Sequence, residues 1–195
     1  MTDFTSVRAA HNDYRYRAPS DLEVTRTEIR RGLFIGSCFA ESMKYNIERI
    51  SGVPHDYVMF HATSDLDGTL TRPITDYDYQ VVALALRFIL PEDAFLRLDF
   101  SDEAACENFF YGARERMLQW LEGALAYSEQ HSTLTFVCTF LVPQQNPMGR
   151  LLRKKTYSNI CYVIQRLNEE LETAVLQTKN CYLLDLDSIA NSMGK

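Results

Sequence analysis

The sequence predicts an α/β domain built on a parallel sheet with helices on both faces. Three observations lead there. Short apolar runs of strand length alternate with longer segments in which apolar residues recur every three or four positions. The short runs are apolar throughout, as in strands covered on both sides. Turn-forming residues bound them, at Gly36, Gly52, Pro54, Pro91 and Pro143.

In chain order, residues 1–31 are polar, with Arg and acidic residues interleaved. They read as an extended N-terminal arm, with Tyr14, Tyr16 and Leu22 as anchors. Residues 32–195 read as a single domain. Leu33-Phe34-Ile35 forms a buried strand that ends at Gly36. Phe39, Met43, Ile47 and Ile50 then mark one face of a helix, which Gly52 and Pro54 stop. Asp56–Phe60 is a second short strand, and a loop rich in Asp, Thr, Gly and Pro follows from Ala62 to Asp76. Gln80–Leu90 is mostly apolar and is consistent with strand or helix, with Val81 and Val82 favouring a strand at its front.

Ser101, followed by Asp102 and Glu103, reads as a helix start, and Phe109, Phe110, Ala113, Met117, Trp120, Leu121 and Ala124 continue that helix to about His131. Thr133–Val142 is a central strand. Ser158 is placed to cap a helix carrying Ile160, Val163, Ile164, Leu167, Leu171, Ala174 and Val175. Tyr182–Leu186 is a last strand, and Ser188–Met193 begins a last helix.

The composition narrows the class. The chain has 195 residues, 46% of them hydrophobic, enough for one full core. Its formal net charge of −6 offers no field for capturing nucleic acid or an anionic membrane. No apolar run approaches the roughly 20 residues of a membrane span. The start carries no apolar signal core, so a cytoplasmic setting is expected. Five cysteines without C-x-x-C spacing argue against a disulfide framework or a zinc site. Cys106, Cys138, Cys161 and Cys181 lie in apolar segments and read as small buried hydrophobes. Asp65 and Asp67 begin like a calcium loop, but Gly68 is misplaced and the closing Glu is absent. Neither G-x-G-x-x-G nor G-x-x-x-x-G-K occurs, and no cofactor is expected.

The densest chemical signal is FIGSCFAES, residues 34–42. A strand ends, Gly36 allows a tight turn, and a helix begins at once. Ser37 and Cys38 then stand at the positive end of a helix, where free N–H groups bind an anion or stabilise an oxyanion. A thiol at such a position is favoured as thiolate. Glu41, in the first turn, works against that charge. The plainer alternative is that Ser37 is only the helix cap and Cys38 a small packed residue. In parallel sheets, sites form beyond the carboxyl ends of the strands. Gly36–Ala40, Pro143–Arg150 and Leu186–Ser188 fit that description. Gln144, Gln145, Asn146 and Arg150 suit sugar hydroxyls or a phosphate, or are simply a polar turn. Arg150, Arg153, Lys154 and Lys155 form the basic cluster, read as a phosphate site for an acyl or sugar donor or as a solvated loop. Tyr77 and Tyr79 are further candidates to line a site. Of the histidines, His55 and His61 flank the second strand as structural or solvated groups, His11 lies in the arm, and His131 closes a helix.

The GSCFA turn, with YDYQVVALALRFILPEDAF and TFLVPQQNPMGRLL, resembles the GSCFA-type branch of the SGNH/GDSL hydrolase superfamily, over roughly residues 32–190. Related domains occur in bacterial biosynthetic proteins, some fused to further catalytic domains. The resemblance implies a flavodoxin-like, three-layer α/β/α fold. It also implies ester chemistry, as an esterase or acyltransferase acting on O-acyl esters of carbohydrates or biosynthetic intermediates. Gly36-Ser37-Cys38 stands where the superfamily has Gly-Asp-Ser, which puts Cys38 at the nucleophile position, with Ser37 as its competitor. Gly36 and the helix start would hold the oxyanion, with Thr139 where the superfamily has Asn. The closing Asp-x-x-His, begun at Asp185 or Asp187, meets Ser188 or Ala190 instead of His. Asp185 or Asp187 would orient a base or cap the last helix. The alternative is an inactive binding or accessory domain on the same fold, with a carbohydrate or a fused or partner biosynthetic domain as its ligand. A chain continuing past Lys195 could supply the missing His.

Overall fold

The computed structural model describes residues 28–60, 70–146, 149, 151 and 153–193. His11, His61, Asp65, Asp67, Arg150 and most of the arm lie outside the described residues. The elements run β1 (Gly32–Gly36), α1 (Cys38–Ser51), β2 (His55–Met59), a 3-10 turn at Ile74–Asp76, β3 (Tyr79–Ala83), α2 (Leu86–Ile89), α3 (Glu92–Leu96), α4 (Glu103–His131), β4 (Leu134–Cys138), α5 (Ile160–Gln177), β5 (Cys181–Leu184) and α6 (Leu186–Ser192). The five strands form one sheet in the order β2-β1-β3-β4-β5. Every neighbouring pair is parallel. This is the flavodoxin-like strand order of a three-layer α/β/α domain.

The pleat sorts each strand between the two faces. Leu33, Ile35, Val82 and Val137 join the larger core, which includes Phe110, Met117, Leu121, Leu167 and Leu171 from α4 and α5. Phe34, Val81, Ala83 and Cys138 face the other way, against Ala40, Met43 and Ile47 of α1. Leu33, Phe34 and Ile35 have no exposed surface at all. Each such side chain contributes about 1.5–3 kcal/mol of burial, so β1 anchors both faces at once.

Several element ends differ from the sequence reading, each for a local reason. Gln80–Leu90 divides: β3 ends at Ala83 and a short helix starts at Leu86. The α4 cap is Asp102, whose carboxylate accepts from Ala105 N, while Ser101 bonds back to Asp99. The α5 cap is Asn159, whose side chain accepts from Cys161 N, while Ser158 is buried beside Thr156. Amide and carboxylate caps do the same work as the hydroxyls one residue earlier. β4 ends at Cys138, short of Val142, because β5 itself ends at Leu184 and offers no further ladder. Beyond it, side chains replace the missing strand. Asn168 of α5 brackets Phe140, accepting from its N–H at 2.8 Å and donating to its C=O at 2.8 Å. Asp187 accepts from Val142 N at 2.7 Å.

Among the described residues, no helix is long and apolar enough to cross a membrane. No cluster of three or more His, Cys, Asp or Glu side chains among them is placed to hold a metal ion.

Candidate functional site

The strand order reverses between β1 and β3, so the loops leaving their carboxyl ends diverge and open a crevice. A cleft of about 340 Å³ lies there. Its wall takes Ser37 and Cys38 after β1, Leu84 to Arg87 after β3, Thr139 to Leu141 after β4, and Leu186 after β5. Cys138 lies in the same lining but is itself buried, and burial pushes its thiol up to about 12. The lining is predominantly apolar, with Ser37, Thr139, Arg87 and the Cys38 thiol as its polar groups.

Gly36 makes the turn possible. Its φ is +155°, and a Cβ there would stand 2.2 Å from the carbonyl oxygen of Ala83. Only glycine lets the chain leave β1 this close to β3. The Gly36 carbonyl accepts from Phe60 N at 2.9 Å and from the Tyr57 hydroxyl at 3.1 Å, which ties the turn to the end of β2. The Tyr57 phenol is held above its ordinary value by burial first, then by Glu41 and Cys38 nearby.

The two competitors at the turn occupy different settings. Ser37 is buried and is the α1 cap, its hydroxyl accepting from Phe39 N at 3.4 Å. Cys38 is the first residue of α1 and is exposed. Helix geometry leaves the Cys38 and Ala40 amides in the first turn without an intrahelical acceptor. Chemically, the arrangement offers an accessible sulfur, on the first turn of a helix, in the wall of an apolar cleft.

Thr139 lines the cleft, and its hydroxyl is engaged. It donates to Asp185 Oδ1 at 3.4 Å and accepts from Asp187 N at 3.2 Å. In this arrangement the Thr139 hydroxyl gives its hydrogen bond to a carboxylate. Asp185 is the α6 cap, accepting from Ser188 N at 3.0 Å and from the Ser188 hydroxyl at 2.5 Å. The Ser188 hydroxyl and amide, then Thr139, hold its carboxyl below the usual carboxylate range. Asp187 sits in the first turn of α6, bonded to Val142 N and to the Asn191 amide. Of the two roles considered for these acids, the observed one is structural: they fasten α6 and the strand-like segment after β4.

Other candidates fall elsewhere. Gln144 is exposed and outside the cleft lining, and Asn146 donates to the Asn159 side chain at 2.9 Å. Arg153, Lys154 and Lys155 are exposed, and the carbonyls of the first two accept from Asn159. Tyr77 and Tyr79 lie at the amino end of β3, opposite the cleft. Tyr77 donates to Asp56 at 2.8 Å, and burial, then Asp56, pushes its phenol up to about 12. The Tyr79 hydroxyl meets His55 Nε2 at 2.7 Å. His55 is buried at the start of β2, and burial holds its imidazole below its ordinary value. Cys161 is half-buried rather than sealed, its thiol 3.5 Å from Pro143 O, whereas Cys106, Cys138 and Cys181 are buried.

Arg87 was not anticipated. It is the one charged residue in the apolar run Gln80–Leu90, and that isolation was its available signal. Asn168 was not anticipated either, because it lies on a helix with a regular apolar stripe and only the fold shows what it brackets.

No known protein family matches the chain, and no curated protein matches its sequence. Among solved structures, a GDP-L-fucose synthetase from Naegleria fowleri is similar at 12% identity with a TM-score of 0.37, over 83% of this chain and 50% of that one. A structure of a GDP-L-fucose synthetase from the same organism bound to NADP is similar at 15% identity with a TM-score of 0.37, over 88% of this chain and 53% of that one. The chain spans about half the length of these structures, and so distant a likeness says nothing of what it binds.

Proposed function

We propose that the chain is an SGNH-like acyl-transfer domain, an esterase or acyltransferase in which Cys38 attacks an O-acyl ester. One observation carries the reading: Cys38 is exposed at the first position of a 14-residue helix and opens on an apolar cleft at the switch point of the sheet. In the first step the Cys38 thiol passes its proton to water and the sulfur attacks the ester carbonyl carbon. The C–S bond forms, the C–O bond to the alcohol breaks, and the departing alkoxide takes up that proton from the water. The first-turn amides of α1 face the developing oxyanion. In the second step water or an acceptor hydroxyl attacks the thioester. The acyl group leaves as acid or new ester, and the thiol is restored with the attacking group's proton. The test is turnover of p-nitrophenyl acetate by the wild type and by Cys38→Ala. The reading requires the variant to fall to the rate of buffer. Equal rates in the two proteins contradict it.

A second reading is a non-catalytic binding domain on the same fold. It is favoured by the engagement of Thr139, Asp185 and Asp187 with one another and with α6, which leaves these three groups no free role in proton transfer. Turnover separates the two: Cys38-dependent hydrolysis of p-nitrophenyl acetate excludes the non-catalytic reading, whereas equal rates for the wild type and Cys38→Ala, with Thr139→Val losing thermal stability alone, support it.

A further inference from the structure

We propose that the ester brought to Cys38 carries an extended apolar acyl chain, seated in a groove between α2, α3 and α5. The inference rests on the acyl-transfer reading of the Cys38 cleft and names its substrate class. A second cavity, of about 350 Å³, is lined by Leu86, Leu90, Phe95, Leu96, Ile160 and Ile164, with Arg87 and Glu92 as its charged members. Leu86 and Arg87 belong to the linings of both cavities, so the two meet at the first turn of α2. A chain anchored by its carbonyl at Cys38 passes over Leu86 to reach the groove.

The chemistry of the walls selects the occupant. A sugar ring needs donors and acceptors for its hydroxyls, and an unmatched hydroxyl loses free energy on leaving water. Six of the eight lining side chains supply no such partner, and Arg87 and Glu92 are the two that do. A hydrocarbon chain requires only that its surface be covered. Leu96 is 79% exposed, so a chain lying there covers apolar surface that water now meets. Each methylene buried raises kcat/KM by up to about fourfold, the equivalent of about 0.8 kcal/mol.

The experiment measures kcat/KM for p-nitrophenyl acetate, butanoate, hexanoate, octanoate and decanoate on the wild type, Leu96→Asp and Leu86→Trp. Decanoate binding is measured by calorimetry, and solution mass by light scattering. The proposal expects kcat/KM to climb with chain length in the wild type and the climb to flatten in both variants. Cys38-dependent turnover with the same kcat/KM for every ester overturns the chain proposal and leaves the acyl-transfer reading standing. Decanoate binding that Leu96→Asp abolishes, without Cys38-dependent turnover of any ester, overturns acyl transfer and supports the groove as a chain site. A wild-type dimer that Leu96→Asp converts to monomer, with no dependence on chain length, makes a second copy the occupant and overturns the proposal. Absence of both turnover and decanoate binding overturns both readings.

Discussion

The Cβ that Gly36 lacks would lie 2.2 Å from the carbonyl oxygen of Ala83, closer than any non-bonded carbon and oxygen can stand. β1 and β3 are adjacent in the sheet, with Gly36 in register with Ala83. The contact therefore sets how tightly the two strands close beneath the Cys38 turn. Gly36→Ala is expected to destabilise the fold by about 3 kcal/mol, from steric overlap with backbone and a φ that alanine adopts poorly. Urea denaturation of the two proteins measures it, and a loss under about 1 kcal/mol would mean that the turn relaxes freely.

Asn168 is expected to matter beyond its place on α5. Its amide satisfies both backbone groups of Phe140, which lines the Cys38 cleft. Asn168→Leu keeps the size of the side chain and removes both bonds. The expected cost is about 2–3 kcal/mol, since a buried N–H and C=O lose their partners. Chemical denaturation reads the loss, and amide hydrogen exchange at Phe140 should quicken.

Acid should loosen α6. The folded state holds the Asp185 carboxyl below its ordinary value, with the Ser188 hydroxyl as the main cause. The folded state therefore binds the proton less readily than the unfolded chain. The stabilisation is present in full above the ordinary carboxylate range and is lost as pH falls through the lowered value. In Asp185→Asn the drop in stability between neutral pH and about pH 3 should be shallower than in the wild type. Thermal melts across that range test the sign, and a steeper drop in the variant contradicts it.

The five cysteines should separate by accessibility. Cys38 is exposed and Cys161 half-buried, whereas Cys106, Cys138 and Cys181 are sealed. Cys138 is additionally kept protonated at neutral pH, its thiol pushed up to about 12. Alkylation of the native protein followed by peptide mapping should modify Cys38 first and Cys161 more slowly, with the other three labelled only after denaturation. Labelling of Cys138 at the rate of Cys38 would mean that the cleft floor opens.

The fold was legible wherever side chains face a single environment. Leu33-Phe34-Ile35 could only be a strand covered on both faces, and the stripe from Val163 to Val175 could only be a helix. Legibility failed where backbone partners come from distant side chains. The sequence Thr139–Val142 looks like more strand, yet Asn168 and Asp187 bond its backbone in place of a neighbouring strand. The turn at Gly36–Cys38 was readable because strand, glycine and helix start are contiguous. The engagement of Thr139 with Asp185 was not, because those residues are 46 positions apart and a hydroxyl is equally suited to either role.

The account turns on whether Cys38 accepts an acyl group from the cleft. The most direct measurement is to mix the protein with p-nitrophenyl octanoate, quench in acid within the first turnover, and map the peptides by mass spectrometry. The account predicts an octanoyl group on Cys38, absent when the native protein is first alkylated at that residue. An unmodified Cys38 peptide, or a label spread evenly over Cys38, Cys161 and surface lysines, would contradict it.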